Sequence, residues 1–316
     1  MLLRALGMTP LVLFALAAPA LASQPAAGGF VPPVWTILPF AGMLLSIALF
    51  PLFAPKFWEH HYLKVSLLWL LAALAAMAVS VPAGMPFLGI YGAKVFSTAE
   101  EYIAFIILLG ALYIISGGIH VSGHLPGTPA VNTAILLMGA VTANLIGTTG
   151  ASMVLIRPLL RATEHRVHRV HTVVFFIFLV SNIGGVLTPI GDPPLFLGFL
   201  QGIPFEWTLR LLPIWAAGVL PLLALYFTLD SVLARREALV VEDRPIRFRV
   251  AGKRNLVLLL GVIGAVIFSG VVHFERPVSI LGLGEVHIEA LIRDGAQIVL
   301  ALLSLWLTAP HVRQGN

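Results

Sequence analysis

The chain has 316 residues, 59% of them hydrophobic and only 10% charged, with a mean hydropathy of +0.99. That composition excludes a water-soluble globular protein and points to an all-α, polytopic helical membrane protein. The 19 Lys and Arg against 14 Asp and Glu do not imply a nucleic-acid partner, because the basic residues gather in short segments between apolar runs, where they orient a chain in the bilayer; the absence of cysteine removes disulfides and thiolate metal sites.

Residues 1–22 read as a cleavable signal peptide, with one early charge at Arg4, an apolar run over 11–18, and Ala20-Leu21-Ala22 before Ser23. Cleavage would leave the mature N-terminus outside the cytoplasm. Apolar spans follow at 35–53, 63–81 and 102–116, and later at 207–229, 256–273 and 290–307, helical in length and too long and uniform for barrel strands. The inner segments then carry Lys56, Lys64, Arg157, Arg161, Arg166, Arg169, the basic residues from Arg235 to Arg254, and Arg313. The outer side keeps only Lys94, Arg210, Arg276 and Arg293, a bias that holds only if 129–163 crosses the membrane twice or not at all.

Two interruptions break the plain pattern. The apolar segment from Pro129 to Leu160 is too long for one crossing, and NLIGTTGAS at 144–152 splits it at Gly147 and Gly150 into two arms, the second too short to span. The expectation is a re-entrant helical hairpin over 129–163, with Thr128 as its cap and Pro129 at the first helical position. The second interruption is SNIGGVLTPIGDPP at 181–194, a polar, glycine- and proline-rich break in a transmembrane helix over 170–203. Unwound backbone at membrane depth survives only where protein buries it or it lines a wet cavity, so the two gaps are expected to face each other.

Residues 231–254 form the one long polar connection, read as a cytoplasmic linker after a first transporter repeat over 35–230. The spans at 255–309 bring no second glycine-rich tip and no second Gly-Asp-Pro, so they read as the start of a second inverted repeat, begun and not finished.

Asn144, Thr148, Thr149 and Ser152 bring amide and hydroxyl oxygens to the first gap, and helix C-terminal ends near Asn144 and Asn182 present partial negative charge, together suiting a sodium ion. Helix starts near Ala151 and Leu195 point positive ends inward and suit a carboxylate. Asp192 precedes Pro193, which makes it a cap for the following half-helix and also a carboxylate at membrane depth, able to take sodium and a proton in turn. The structural alternative is a pair of glycine kinks whose Ser and Thr side chains bond their own backbone.

Other polar residues have plainer readings. Glu164, His165, His168 and His171, in EHRVHRVH, fall partly on one helical face, as a metal site or pH sensor would need, but the interleaved arginines favour an interfacial basic segment against anionic lipid. Trp58, Glu59, His60 and His61 read as an interfacial belt. Glu100 and Glu101 are expected as solvated first-turn acids of the span at 102–116, and Arg293 and Asp294 as residues that pair or snorkel at an outer span end.

The strings TANLIGTTGASMVLIRPLL at 142–160 and FFIFLVSNIGGVLTPIGDPPLFLGF at 175–199 resemble the ion transporter superfamily, which includes bacterial sodium/proton antiporters, arsenite pumps and the melanosomal P protein. The nearest likeness is to a bacterial branch known both as citrate transporters and as sodium:proton antiporters. This resemblance implies an inverted-repeat elevator transporter of the bacterial inner membrane, homodimeric through a scaffold domain, whose complete members continue into a second hairpin and broken helix. It places sodium at Asn144, Thr148, Thr149, Asn182 and Asp192, with Gly147, Gly150, Ser152, Ser181, Gly184, Gly185, Thr188 and Gly191 completing the ion or substrate site.

The function expected is sodium/proton antiport, with sodium- or proton-coupled citrate or dicarboxylate symport as the alternative and no resident cofactor beyond the moving ions. Ile190-Gly191-Asp192 also resembles the glycine–aspartate motif of intramembrane aspartyl proteases, but that chemistry needs two carboxylates in one site, and Asp230 and Asp294 fall near span ends.

Overall fold

The structure, a computed structural model, describes residues 31–82, 84–123, 125–237, 249–274, 277–280 and 284–314. The signal-peptide reading over 1–22 and the middle of the expected linker lie outside the described residues. Among those described, eight helices are long and apolar enough to cross a membrane, and the chain divides into two compact units, Met1–Phe96 and Ser97–Asn316.

In the first unit a 3₁₀ turn at Val34–Ile37 leads into α1 (Leu38–Phe53), and Pro55 opens α2 (Pro55–Ser80) after an abrupt turn at Ala54. The two helices are clasped by one polar contact: Trp69 Nε1 donates to Ser46 Oγ (2.9 Å), whose own proton goes to the Gly42 carbonyl (2.8 Å). Much of their outer surface is apolar, with Leu44, Leu52, Leu63, Leu68 and Leu71 outward as a bilayer requires, while Lys56, Glu59, His60 and Lys64 are exposed in the first turns of α2.

Two helices start earlier than hydropathy suggests. The helix α2 begins at Pro55, so Trp58 to His61 occupy its first turns, and α3 (Phe87–Ser116) begins fifteen residues ahead of Tyr102. Glu100 and Glu101 are therefore mid-helix residues and not first-turn acids. The polar stretch KVFSTAEE lowers hydropathy without containing a helix breaker, so the helix runs through it.

In the second unit α4 (Pro129–Ala162) supplies the core. It opens as expected, with Thr128 Oγ1 accepting the Val131 N–H (3.4 Å) and Pro129 in the first turn. It departs from helical geometry at Gly147 alone (φ 75°, ψ 156°), and there it folds back on itself. A Cβ placed on Gly139 would stand 3.3 Å from Leu155 Cδ1, whereas a straight helix would hold those residues about 24 Å apart. Leu136, Ala140, Ala143, Ala151, Leu155 and Leu159 of the two arms are buried together with Leu108, Leu112 and Ile115 of α3.

The following helix, α5 (Val170–Phe176), widens to π geometry over Ile177–Asn182, tightens to 3₁₀ over Ile183–Leu187 and then becomes extended, before α6 (Pro193–Leu200) resumes. A 3₁₀ segment at Phe205–Leu211 leads into α7 (Leu212–Arg236). After the undescribed stretch come α8 (Arg254–Val271), α9 (Ile288–Leu307) and a short α10 (Pro310–Gln314). Two small antiparallel ribbons were not anticipated: β1 (His120–Ser122) with β2 (Arg249–Ala251), and β3 (Val278–Ile280) with β4 (Gly284–Val286). The expected linker is thus structured at both ends, since α7 runs to Arg236 and β2 pairs from Arg249.

Asn255, 1% exposed, ties α8 to its neighbours. Its Nδ2 donates to the Gly118 carbonyl (2.8 Å) and to Thr308 Oγ1 (2.9 Å), and its Oδ1 accepts from Ser304 Oγ (2.6 Å). Asn255→Ala removes all three of these buried hydrogen bonds, leaving Ser304 Oγ with only its contact from Arg313 Nη2 (2.9 Å), and is expected to cost about 2–4 kcal/mol, read as a lower thermal unfolding midpoint of the detergent-solubilised protein.

Candidate functional site

The two helix interruptions meet and satisfy each other's backbone. Thr148 N–H, just past the break at Gly147, donates to the Gly191 carbonyl (3.2 Å). Leu187 N–H donates to Asn144 Oδ1 (2.8 Å), and Thr188 Oγ1 donates to the Asn144 carbonyl (2.5 Å) while accepting from Gly191 N–H (3.0 Å). Further out along the seam, Ser152 and Ser181 share a hydrogen bond (2.8 Å). The outer wall is closed by α7 and the turn before it: Trp215 Nε1 donates to the Gly184 carbonyl (3.2 Å) and Thr208 Oγ1 to the Leu187 carbonyl (2.9 Å).

Glycine is required where the strands of the seam touch. Gly147 sits at φ 75°, the region that other residues enter at a cost of roughly 1–2 kcal/mol. Gly185 packs against Gly191 so closely that a Cβ would collide with the Gly191 carbonyl and stand 2.8 Å from Thr148 Cγ2. Gly184 is likewise buried against α4, whereas Gly150 lies within a regular helical arm.

Of the oxygens expected to hold sodium, the structure uses some as clasps. Asn144 is buried, and its amide oxygen already accepts from Leu187; Thr188 is buried and bonded on both sides. Thr148 and Asp192 are half-buried at the seam, while Thr149 and Asn182 are exposed. Asp192 occupies the N-cap position of α6, with its carbonyl accepting from Leu195 and Phe196, but its carboxylate makes no capping hydrogen bond. The capping expectation therefore holds for the backbone and fails for the side chain, because Pro193 and Pro194 remove the donors nearest the start of the helix. Among the described residues none bonds that carboxylate, so it is the acid of the seam that remains open to an ion.

A second polar cluster, which sequence reasoning missed, lies at the ends of α4, α5 and α7. Arg166 is 4% exposed, not an interfacial residue facing lipid: its Nη2 donates to Asp230 Oδ1 (2.8 Å), its Nε to Glu237 Oε2 (2.6 Å) and its Nη1 to the Gly127 carbonyl (3.0 Å). Asp230, fully buried, also accepts from Asn132 Nδ2 (3.1 Å) and the Tyr226 hydroxyl (3.3 Å), and lies 2.9 Å from His171 Nε2. His168 meets Glu237 through both its backbone N–H and Nδ1 (2.8 Å each). Of the EHRVHRVH segment only Arg166 is buried and His171 half-buried, both drawn in by Asp230, while Glu164, His165, Val167, His168, Arg169 and Val170 keep the exposed character expected of all of it. The available signal was Asp230 itself, an acid at the end of an apolar span and one turn from Tyr226.

Burial alone would lower the Arg166 pKa, but its two carboxylate partners more than offset that and hold it above its ordinary value. Burial alone would raise Glu237, yet the His168 N–H, the Arg166 guanidinium and the His168 ring hold its carboxyl below the ordinary 4.5.

A third polar group follows one face of α9. Glu289, Arg293, Gln297 and Ser304 are all buried, and Gln297 has no partner among the described residues for either side-chain atom. Arg293 pairs with Asp294 (2.7 Å) as expected, but it does not snorkel: it is 4% exposed, with its guanidinium 5.8 Å from the Phe196 ring centre. With Glu100, Glu101 and His273 it lines a cavity of about 520 Å³.

Three outcomes are expected. Gly147→Ala strains the break and separates the Thr148–Gly191 contact, lowering transport roughly 5–30-fold for a loss of about 1–2 kcal/mol, with insertion measured in parallel. Arg166→Ala takes the guanidinium from the fully buried Asp230, leaving it only Asn132, Tyr226 and His171, and is expected to cost about 3–5 kcal/mol. For Glu237 the folded pKa is depressed, so its contribution is complete above about pH 4.5 and is lost as pH falls through the lower folded value. Glu237→Gln should flatten the fall in Tm on acidification.

No curated protein and no solved structure matches this chain. The family described as "Putative citrate transport" matches residues 31–316. With its spans, its paired helix breaks and a match over all the described residues, the chain belongs to this transporter family.

Proposed function

We propose that the protein is a cation-coupled secondary transporter of a citrate-like carboxylate, with the coupling cation at the seam between the two helix breaks. The observation that carries this reading is the half-buried Asp192 carboxylate, placed by the Thr148–Gly191 contact beside the α4 break and left without a hydrogen bond from any described residue. An acid in that position favours a cation, which the hydroxyls of Thr148, Ser152 and Ser181 can help to coordinate. The family match favours a carboxylate solute, for which the starts of the second α4 arm and of α6 offer positive helix ends. In this reading α4 is a re-entrant hairpin, entering and leaving the bilayer on one side.

Sodium/proton exchange in a bacterial inner membrane is the second reading. Asp192 favours it, since one carboxylate that takes sodium and a proton alternately is sufficient for exchange and needs no anion site.

Reconstituting the full-length protein in liposomes, imposing a sodium gradient, and following labelled citrate and internal pH together separates the two. Sodium-dependent citrate accumulation supports symport; proton movement without citrate supports exchange. In either case Asp192→Asn is expected to cut transport roughly 10–100-fold, the loss of one charge-assisted contact, while the protein still inserts. Full activity in that variant would remove Asp192 from the site.

A further inference from the structure

Away from the seam, the cavity of about 520 Å³ in the second unit is walled by α3, the end of α6 and the turn after it, the end of α8 and the start of α9. A space of that size, with apolar walls and a few convergent polar groups, has the character of a small-molecule site. Ala104, Phe199 and Leu200 supply the apolar wall, and the exposed His273 and His287 mark its mouth.

Two opposite charges line this space without a bonded partner in it. Arg293, 4% exposed, gives its Nε to Asp294 (2.7 Å) and has its guanidinium 5.8 Å from the Phe196 ring centre, while its Nη1 and Nη2 make no hydrogen bond with a described residue. The end of the guanidinium that grips a carboxylate through two parallel hydrogen bonds is therefore free. Glu100 of α3 likewise makes no hydrogen bond or ion pair with a described residue, although Arg293 is the charge that acts on it most strongly, ahead of His287, Asp294 and Glu101. The other acids of the wall are engaged: Glu101 accepts from Gln201 Nε2 (2.5 Å), and Glu289 accepts from the Phe274 N–H (3.3 Å) and lies 3.7 Å from His287. One turn beyond Arg293, on the same buried face of α9, Gln297 is fully buried with neither amide atom paired among the described residues.

A carboxylate alone would meet Arg293 but be repelled by Glu100, and an amine alone would meet Glu100 but be repelled by Arg293. A molecule carrying both charges a few bonds apart satisfies both groups, and an apolar side chain on it can lie along Ala104, Phe199 and Leu200. We propose that this cavity binds a zwitterionic amino acid with an apolar side chain, its carboxylate on Arg293 and its ammonium on Glu100.

The test is equilibrium binding of labelled L-leucine to the full-length protein in nanodiscs of phosphatidylglycerol. Saturable binding is expected, about 10–100-fold tighter than that of isocaproate, which lacks the ammonium, or of isoamylamine, which lacks the carboxylate, since each has lost one charged hydrogen-bonding contact. Glu100→Gln should weaken leucine by a similar factor while isocaproate binds at least as well as before, a change of selectivity that a general loss of structure does not produce. Arg293→Lys keeps the charge but not the fork, and should weaken leucine and isocaproate together. Glu206→Gln, at an exposed acid that does not line the cavity, should leave leucine binding unchanged. No saturable binding, isocaproate bound as tightly as leucine, or full leucine binding in Glu100→Gln would overturn the proposal. Displacement of leucine by phosphatidylethanolamine added to the discs would overturn it too, in favour of that lipid headgroup as the zwitterion held. The comparisons of ligand and of lipid use the unaltered protein, so the proposal stays testable even if a variant does not fold.

Discussion

Backbone N–H and C=O groups inside a bilayer have no water to turn to, and a chain that breaks its helices there must let the broken pieces satisfy each other. The seam between α4 and the α5–α6 connection is built on that constraint. Asn144 serves it twice, accepting the Leu187 N–H on its side chain and the Thr188 hydroxyl on its carbonyl, and Thr148 closes the other end on Gly191. The close approach this needs is possible only because Gly185 and Gly191 present no side chain to one another. Loss of either interruption would strand the donors and acceptors of the other.

The charged groups near this seam fall into two kinds. Asp230 and Glu237 are committed: Arg166 joins them, and Asn132, Tyr226, His168 and His171 fill their remaining positions, so the bases of α4, α5 and α7 are fastened together. A carboxylate so fully partnered has little to gain from an ion. Asp192 is of the other kind, held in place through its backbone with its carboxylate unengaged. This division sets a fastened base apart from an unengaged carboxylate at the helix break. It also argues against aspartyl protease chemistry, since Asp230 is already occupied by Arg166 and is no catalytic partner for Asp192.

Much of this was readable in advance, and for local reasons. Composition set the membrane class, Gly147 and the SNIGG and GDPP strings marked both breaks, and Thr128-Pro129 marked a helix start that α4 uses. Helix limits were read less well where polarity and helicity part company. The stretch KVFSTAEE is polar but helix-compatible, so α3 begins at Phe87 and Glu100 becomes a residue of a cavity wall. The break in α4 is narrower than its glycines suggest, because Gly150 fits the second arm and only Gly147 needs a left-handed backbone.

By itself, the amino-acid order determined what each segment could be: apolar stretches of spanning length, two places where a helix has to stop, and an acid at the second of them. These follow from side-chain hydropathy and backbone stereochemistry within a few residues. Only the tertiary structure decided which polar groups would be consumed in pairing and which left open. It turned Arg166 inward to Asp230, 64 residues along the chain, made Asn144 a clasp, and left Asp192 without a hydrogen-bond partner among the described residues. Such choices depend on which distant segment comes to lie alongside, and the energy of a buried charge or an unpaired carbonyl is set by that neighbour.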